Sequence, residues 1–201
     1  MTSPSLRFAF IDLDGTLYRW SLYIDLIDQL MRFQRSMPTQ RRAWEAQALN
    51  DDVYLSQHIH TWEERAIMGL SDAELTLAVN EVLRKPKSRA YIFARELITV
   101  LKTCGYRVIA LGGSPQVTVE ALAKTWGFDE WYGSEYVKDP LRVYGRDQSK
   151  AKKLDIEKEG IVRGLLQQGA LRDGSIAVGD TASDWTICFS ASSSTVRGQS
   201  L

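Results

Sequence analysis

Two pairs of aspartates stand out in this chain, each placed just beyond an apolar run. Asp12 and Asp14 lie in FAFIDLDGTLYRW, followed by Gly15 and Thr16, and Asp180 and Asp184 lie in GDTASDW. Residues two apart on a strand point the same way, and a chain that turns after the strand, as Gly15 allows, aims both carboxylates at one cleft. Carboxylates so placed repel each other and resist ionisation unless a cation neutralises them; a divalent metal ion is the obvious partner. An isolated DxDG is more often a solvated turn, and Asp180 by itself reads equally well as a helix N-cap. The weight comes from finding both pairs at strand ends. A third apolar run, 107–111, ends in GGSP, where Gly113 lets the backbone approach closely and Ser114 is expected at the start of a helix. That combination suits an oxyanion of the phosphate type, although an N-cap serine looks the same. SKAKKL, residues 149–154, offers a lysine to balance the negative charge, while three lysines at a helix start usually form a solvated face.

These groups meet only if the elements carrying them end on one side. Residues 8–13 form an apolar run bounded by a turn, as in a strand buried on both faces. From about residue 21 the period becomes helical, with Leu22, Leu26, Leu30 and Phe33 in register until Met37-Pro38. Ser71-Asp72-Ala73-Glu74 reads as a capping box that opens a further helix. Residues 90–104 read as a helix stopped by Gly105, 107–111 as a strand, and 116–126 as a helix closed by Gly127. Short segments follow around Trp131 and Tyr136, then a helix from about residue 149 and a strand at 175–178. Strands alternating with helices predict an α/β fold, a Rossmann-like parallel sheet flanked by helices. The expected division is a core of residues 1–17 and 87–201, with residues 18–86 an inserted helical cap lying over the sheet edge where ligands bind.

Composition narrows the function classes. The chain has 201 residues, 44% hydrophobic and 25% charged, with 25 basic residues against 25 acidic ones. This is enough for one good core, and the balanced charge argues against a nucleic-acid or anionic-membrane partner. No run approaches the roughly 20 apolar residues of a membrane span, and the N-terminus lacks a signal-peptide core. Cys104 and Cys188 are too few for a disulfide framework, so a reducing cytoplasm is the expected location.

In order, DLDGT, a strand-end Ser, a Lys and GDTASD resemble the four motifs of the haloacid dehalogenase-like superfamily of phosphohydrolases. The insertion after the first motif, the GGSP and a Lys with Leu four residues on look most like its phosphoserine-phosphatase-like branch. The resemblance implies a Mg2+-dependent phosphatase acting on a small-molecule phosphomonoester. Asp12 would be the nucleophile that forms an aspartyl-phosphate, and Asp14 the general acid and base. Asp12, the backbone carbonyl of Asp14, and Asp180 would hold Mg2+, with Asp184 ligating through water or orienting the shell. Ser114, Gly113 and Lys150 would bind the phosphate, and Thr16 would fix the loop and support Asp14. Lys150 is chosen because Leu154 follows at the family spacing; Lys152 and Lys153 stay open.

The pattern departs from the branch at two places. The cap glutamate of phosphoserine phosphatases falls here on Ser21, which argues against phosphoserine as substrate. After Asp184 the chain is short, so the expectation is either a sheet that closes early with 194–197 as a vestigial edge or a shortened version of a longer ancestor. Two other functions fit the same motifs: a phosphotransferase or phosphomutase using the same intermediate, and a non-catalytic interaction module. The intact acidic residues argue against the latter, and oligomeric state is not legible.

Overall fold

The computed structural model describes residues 7–18, 22–34, 66–84, 91–145, 150–152, 154–167, 174–180 and 184. Ser21, Lys153 and the expected edge at 194–197 lie outside them. The elements run β1 (Arg7–Asp12), α1 (Leu22–Gln34), α2 (Asp72–Arg84), α3 (Ile92–Thr103), β2 (Tyr106–Pro115), α4 (Gln116–Trp126), β3 (Glu130–Ser134), α5 (Leu154–Gln167) and β4 (Ile176–Val178). The four strands form one sheet in the order β3-β2-β1-β4, and every pairing is parallel.

The chain divides into two compact units, 1–22 with 86–135 and 152–201, and 23–85 with 136–151. The assignment of 136–151 to the second unit was not anticipated.

In the first unit the sheet is buried on both faces. Phe8 and Phe10 of β1 join Ile109 and Leu111 of β2 against Leu154 and Val162 of α5. Strand alternation sends Ala9, Ile11, Val108 and Ala110 to the other face, and all four are fully buried. Truncating Phe10 to Ala would cost about 3–5 kcal/mol. The central position of β1 explains why its sequence is a continuous apolar run and not an alternating one.

The helix ends follow local chemistry. α4 stops at Gly127, whose φ of 81° is the left-handed cap that glycine adopts without strain. In the second unit the Ser71 N–H and hydroxyl both donate to Glu74 at 2.8 Å, the capping box read in the sequence. Leu75, Ala78, Val79 and Val82 then bury one face of α2. Residues 136–145 join this unit through a small hairpin. Lys138 pairs with Tyr144 and Val143 with Ser71, and the Asp139 carboxylate takes the Leu141 and Val143 N–H groups at 2.9 and 3.2 Å. Side-chain and isolated bridge contacts such as these leave no periodicity in a sequence.

Two expectations about local structure are corrected. The helix predicted from about residue 149 begins at Leu154. Ser114 does not start a helix: β2 continues through Pro115, and α4 begins at Gln116 with no side-chain cap. The Ser114 hydroxyl is turned to Asp14 and caps no helix. The β2–β3 register also shifts between Leu111 and Pro115, which places GGS in a bulge.

Candidate active site

In this sheet β2 and β3 step out from β1 on one side, while β4 lies on the other. The strand order therefore reverses between β1 and β4, and in open α/β sheets the crevice beyond the carboxyl ends at such a point binds ligands. Asp12 is the last residue of β1, and Asp180 and Asp184 follow β4. One carboxylate oxygen from each lies within 4.8 Å of those of the other two, with Asp12 and Asp184 buried and Asp180 exposed.

Glycine makes this convergence sterically feasible. Gly15 has φ of 81°, and a Cβ there would stand 2.1 Å from Asp180 Oδ2. A Cβ on Gly179 would similarly meet the Asp184 Cβ at 2.4 Å. Thr16, buried in the same turn, donates its hydroxyl to Asp180 Oδ1 at 3.1 Å. It therefore ties the β1 turn to the β4 loop through Asp180, where the sequence expectation had it supporting Asp14.

Asp14 is half-buried and faces other groups. Its Oδ1 accepts the Leu22 N–H at 2.7 Å, and its Oδ2 accepts the Ser114 hydroxyl at 3.3 Å. Backbone bonds hold the turn that presents it, from Gly15 N to Tyr18 O at 3.0 Å and from Leu17 N to Leu13 O at 3.0 Å. Ser114 is buried in the β2 bulge beside Gly113.

Among the described residues, the lysine at this site is Lys158. Its Nζ lies 2.7 Å from Asp12 Oδ1 and 2.9 Å from Asp184 Oδ1, with all three side chains almost inaccessible. Lys150 and Lys152 are exposed, and Lys152 pairs with Glu135 at 3.5 Å. The sequence did carry a signal. Leu154, Lys158 and Val162 occupy i, i+4 and i+8 of α5, and all are buried, so the lysine sits in the apolar stripe. A lysine at a core position needs a partner for its charge, whereas lysines before a helix do not.

The charges perturb one another. Burial pushes Asp12 up to about 7; Lys158 opposes this, and the Asp184 and Asp14 charges reinforce it. Burial works against the Lys158 charge, yet Asp12 and Asp184 together raise the ammonium above its ordinary range. Among the described residues, the carboxyl groups of Asp12, Asp14, Asp180 and Asp184 outnumber this ammonium. Three hard oxygen donors at short range, with an excess of negative charge, fit a divalent cation of the Mg2+ kind.

The acidic cluster thus lies at the switch point of a parallel α/β sheet, the place where such sheets bind ligands. The model of the haloacid dehalogenase-like hydrolases matches residues 9–187, and the chain belongs to that family. No curated protein matches it significantly by sequence. Among solved structures, a phospho-aspartyl intermediate analogue of phosphoserine phosphatase superposes with a TM-score of 0.64 at 17% identity, covering 94% of this chain and 84% of that one. A substrate-bound phosphoserine phosphatase gives 0.61 at 18% identity, with the same two coverages. A protein of unknown function from Bordetella pertussis Tohama I gives 0.65 at 16%, covering 83% and 77%. At these identities the likeness is one of fold.

Proposed function

We propose that the chain is a Mg2+-dependent phosphatase that hydrolyses a small-molecule phosphomonoester through an aspartyl-phosphate on Asp12. The observation that supports this most is the Lys158 ammonium, 2.7 Å from a buried Asp12 that also belongs to a three-carboxylate cluster. A solvated turn would need neither the burial nor the lysine.

Asp12 attacks phosphorus in line with the ester oxygen, forming a P–O bond to its carboxylate as the bond to the alkoxide breaks. Asp14 gives its proton to the departing oxygen. As a carboxylate it then takes a proton from the water that attacks the phosphoryl group, which releases inorganic phosphate and restores Asp12. Its hydrogen bonds from Leu22 and Ser114 orient it for both transfers. Ser114 and the bulged backbone at Gly113 receive phosphoryl oxygens, and Lys158 takes the role that the sequence assigned to Lys150. Asp12, Asp180, Asp184 and the Asp14 carbonyl would hold Mg2+, which when bound supplies charge neutralisation to the phosphoryl oxygens and keeps Asp12 ionised.

The substrate in this reading is not phosphoserine, because Ser21 replaces the glutamate of the enzymes the chain resembles. A cytosolic setting is part of the same reading, supported by the scarcity of cysteine; among the described residues no helix is long and apolar enough to cross a membrane. The test is hydrolysis of an aryl phosphate followed by a screen of small phosphomonoesters. Activity should require Mg2+ and disappear with chelator. Full activity after exhaustive metal removal would sink the proposal, and a screen headed by phosphoserine would sink the substrate argument.

A further inference from the structure

Ser134, the last residue of β3, is buried and absent from the four motifs. Its hydroxyl donates to the Gly113 carbonyl at 2.6 Å and accepts the Leu154 N–H at 3.0 Å. Both partners matter. Gly113 lies in the β2 bulge, where the parallel ladder to β3 is out of register and its bonds cannot be supplied in the regular way. Leu154 opens α5, where a backbone N–H has no partner within the helix. One turn further along that helix is Lys158, and one residue beyond Gly113 is Ser114.

We propose that Ser134 is a positioning residue: its single hydroxyl fixes the distance between the bulge that presents Ser114 and the first turn of α5, and so sets where the Lys158 ammonium meets Asp12. The proposal deepens the phosphatase reading and rests on it for its catalytic consequence. A hydroxyl suits the junction because it donates and accepts at once, from one atom, in a space closed to water. The adjoining backbone restrains the approach without doing the same work. Glu135 and Lys152 exchange N–H···O bonds at 2.9 Å in each direction, which brings the chain towards α5 but leaves the Leu154 N–H and the Gly113 carbonyl to Ser134.

The test uses Ser134→Ala and Ser134→Cys in the full chain. The second variant nearly keeps the side-chain volume while replacing the hydroxyl by a weak hydrogen-bonding group. The principal readout is the 15N–1H resonance of the Lys158 ammonium in the metal-free protein, assigned by its loss in Lys158→Met. Both variants should fold, shift or broaden that resonance, and lower kcat on an aryl phosphate by about tenfold or more, the usual size of an effect through outer contacts. If either folded variant leaves the resonance where it is in the wild type, the backbone bridge alone positions the lysine and the proposal is overturned. Failure of both variants to fold would also overturn it, since the role proposed is confined to the site. The resonance needs no substrate. If no phosphomonoester is hydrolysed, the functional reading fails while the positioning result stands.

Discussion

Asp12 and Asp14 are two residues apart, yet the fold gives them different surroundings. Asp12 is buried against an ammonium and two more carboxylates, while Asp14 is half-buried and held by the Leu22 N–H and the Ser114 hydroxyl. The difference predicts separable defects. Asp12→Asn removes the nucleophile, so turnover should fall to background with every substrate. Asp14→Asn spares the nucleophile but removes the acid and base. With a nitrophenyl or acyl phosphate the leaving group needs little protonation, so Asp12 is still phosphorylated while hydrolysis stalls. Mass spectrometry should find a hydroxylamine-sensitive adduct in Asp14→Asn and none in Asp12→Asn; an adduct on another residue would contradict the division of labour. The lysines give a second contrast. Lys158→Met should lower kcat by about 100-fold or more, as loss of one preorganised charge commonly does. Lys150→Met, a change at an exposed position, should leave it within about twofold. The four aspartates were legible in the sequence because an acidic residue just past an apolar strand is visible as text. Lys158 was legible only as a lysine within an apolar stripe, a weaker signal than the lysine cluster at 150–153 with its family spacing, and the helix was expected from about residue 149. With α5 starting at Leu154, the buried face changes, and the residue that faces the carboxylates lies four positions inside the helix.

At the scale of elements, the turn after β1 and the hairpin of the second unit were unequally legible. The turn announces itself through Gly15, but the reason for glycine is the Asp180 carboxylate brought close from the other end of the chain. Gly15→Ala should therefore weaken Mg2+ binding by about tenfold or more, by displacing a ligand, and the added φ strain should cost about 1–3 kcal/mol of stability. Calorimetric titration with Mg2+ beside thermal unfolding separates the two effects; unchanged Mg2+ affinity would show that Asp180 is not a ligand. The hairpin left no such trace in the sequence. Lys138 and Tyr144 meet on Asp72, at 2.5 and 2.7 Å, across more than sixty residues of chain. Burial pushes the Asp72 carboxyl up, but the Lys138 and Tyr144 hydrogen bonds and the Lys138 charge together carry it below the ordinary range. A folded-state pKa below the unfolded one means stability that is present above the unfolded value of 3.8 and lost as pH falls through the lower folded one. Asp72 is half exposed, so solvent screening holds the contribution to about 1 kcal/mol or less. Denaturant titration should show wild type more stable than Asp72→Asn at pH 6, with the gap closing as the pH is lowered past 3.8. A gap that widened in acid would refute the sign.

Across the whole molecule, the site is a device for joining distant parts of the chain. Asp12 comes from the first strand, Lys158 from the last described helix, and Asp180 and Asp184 from beyond the strand on the far side of β1. Parallel pairing makes this unavoidable, since neighbouring strands must be linked by long crossovers and all carboxyl ends fall on one edge. That logic was available from the alternation of elements, and so was the location of the acidic groups. Which strand neighbours β1 was not, because sheet order is set by packing between elements rather than by any local pattern. The acidic cluster works against the fold that creates it, because one oxygen from each of three carboxylates lies within 4.8 Å of the others and the Lys158 ammonium offsets only part of their charge. A cation that binds only when β1 and the β4 loop are in place should stabilise the first unit by mass action, by about 2.7 kcal/mol at a free concentration 100 times its Kd. Thermal unfolding should accordingly shift upward with added MgCl2 and level off only logarithmically, whereas equal ionic strength from NaCl should not reproduce it. In Asp180→Asn the Mg2+-dependent shift should shrink or vanish. With one fewer carboxylate in the repelling cluster, that variant should also be at least as stable as the wild type in chelator. If MgCl2 raises the wild type and Asp180→Asn equally, the stabilising ion sits elsewhere, and the strand-end aspartates are not the metal centre.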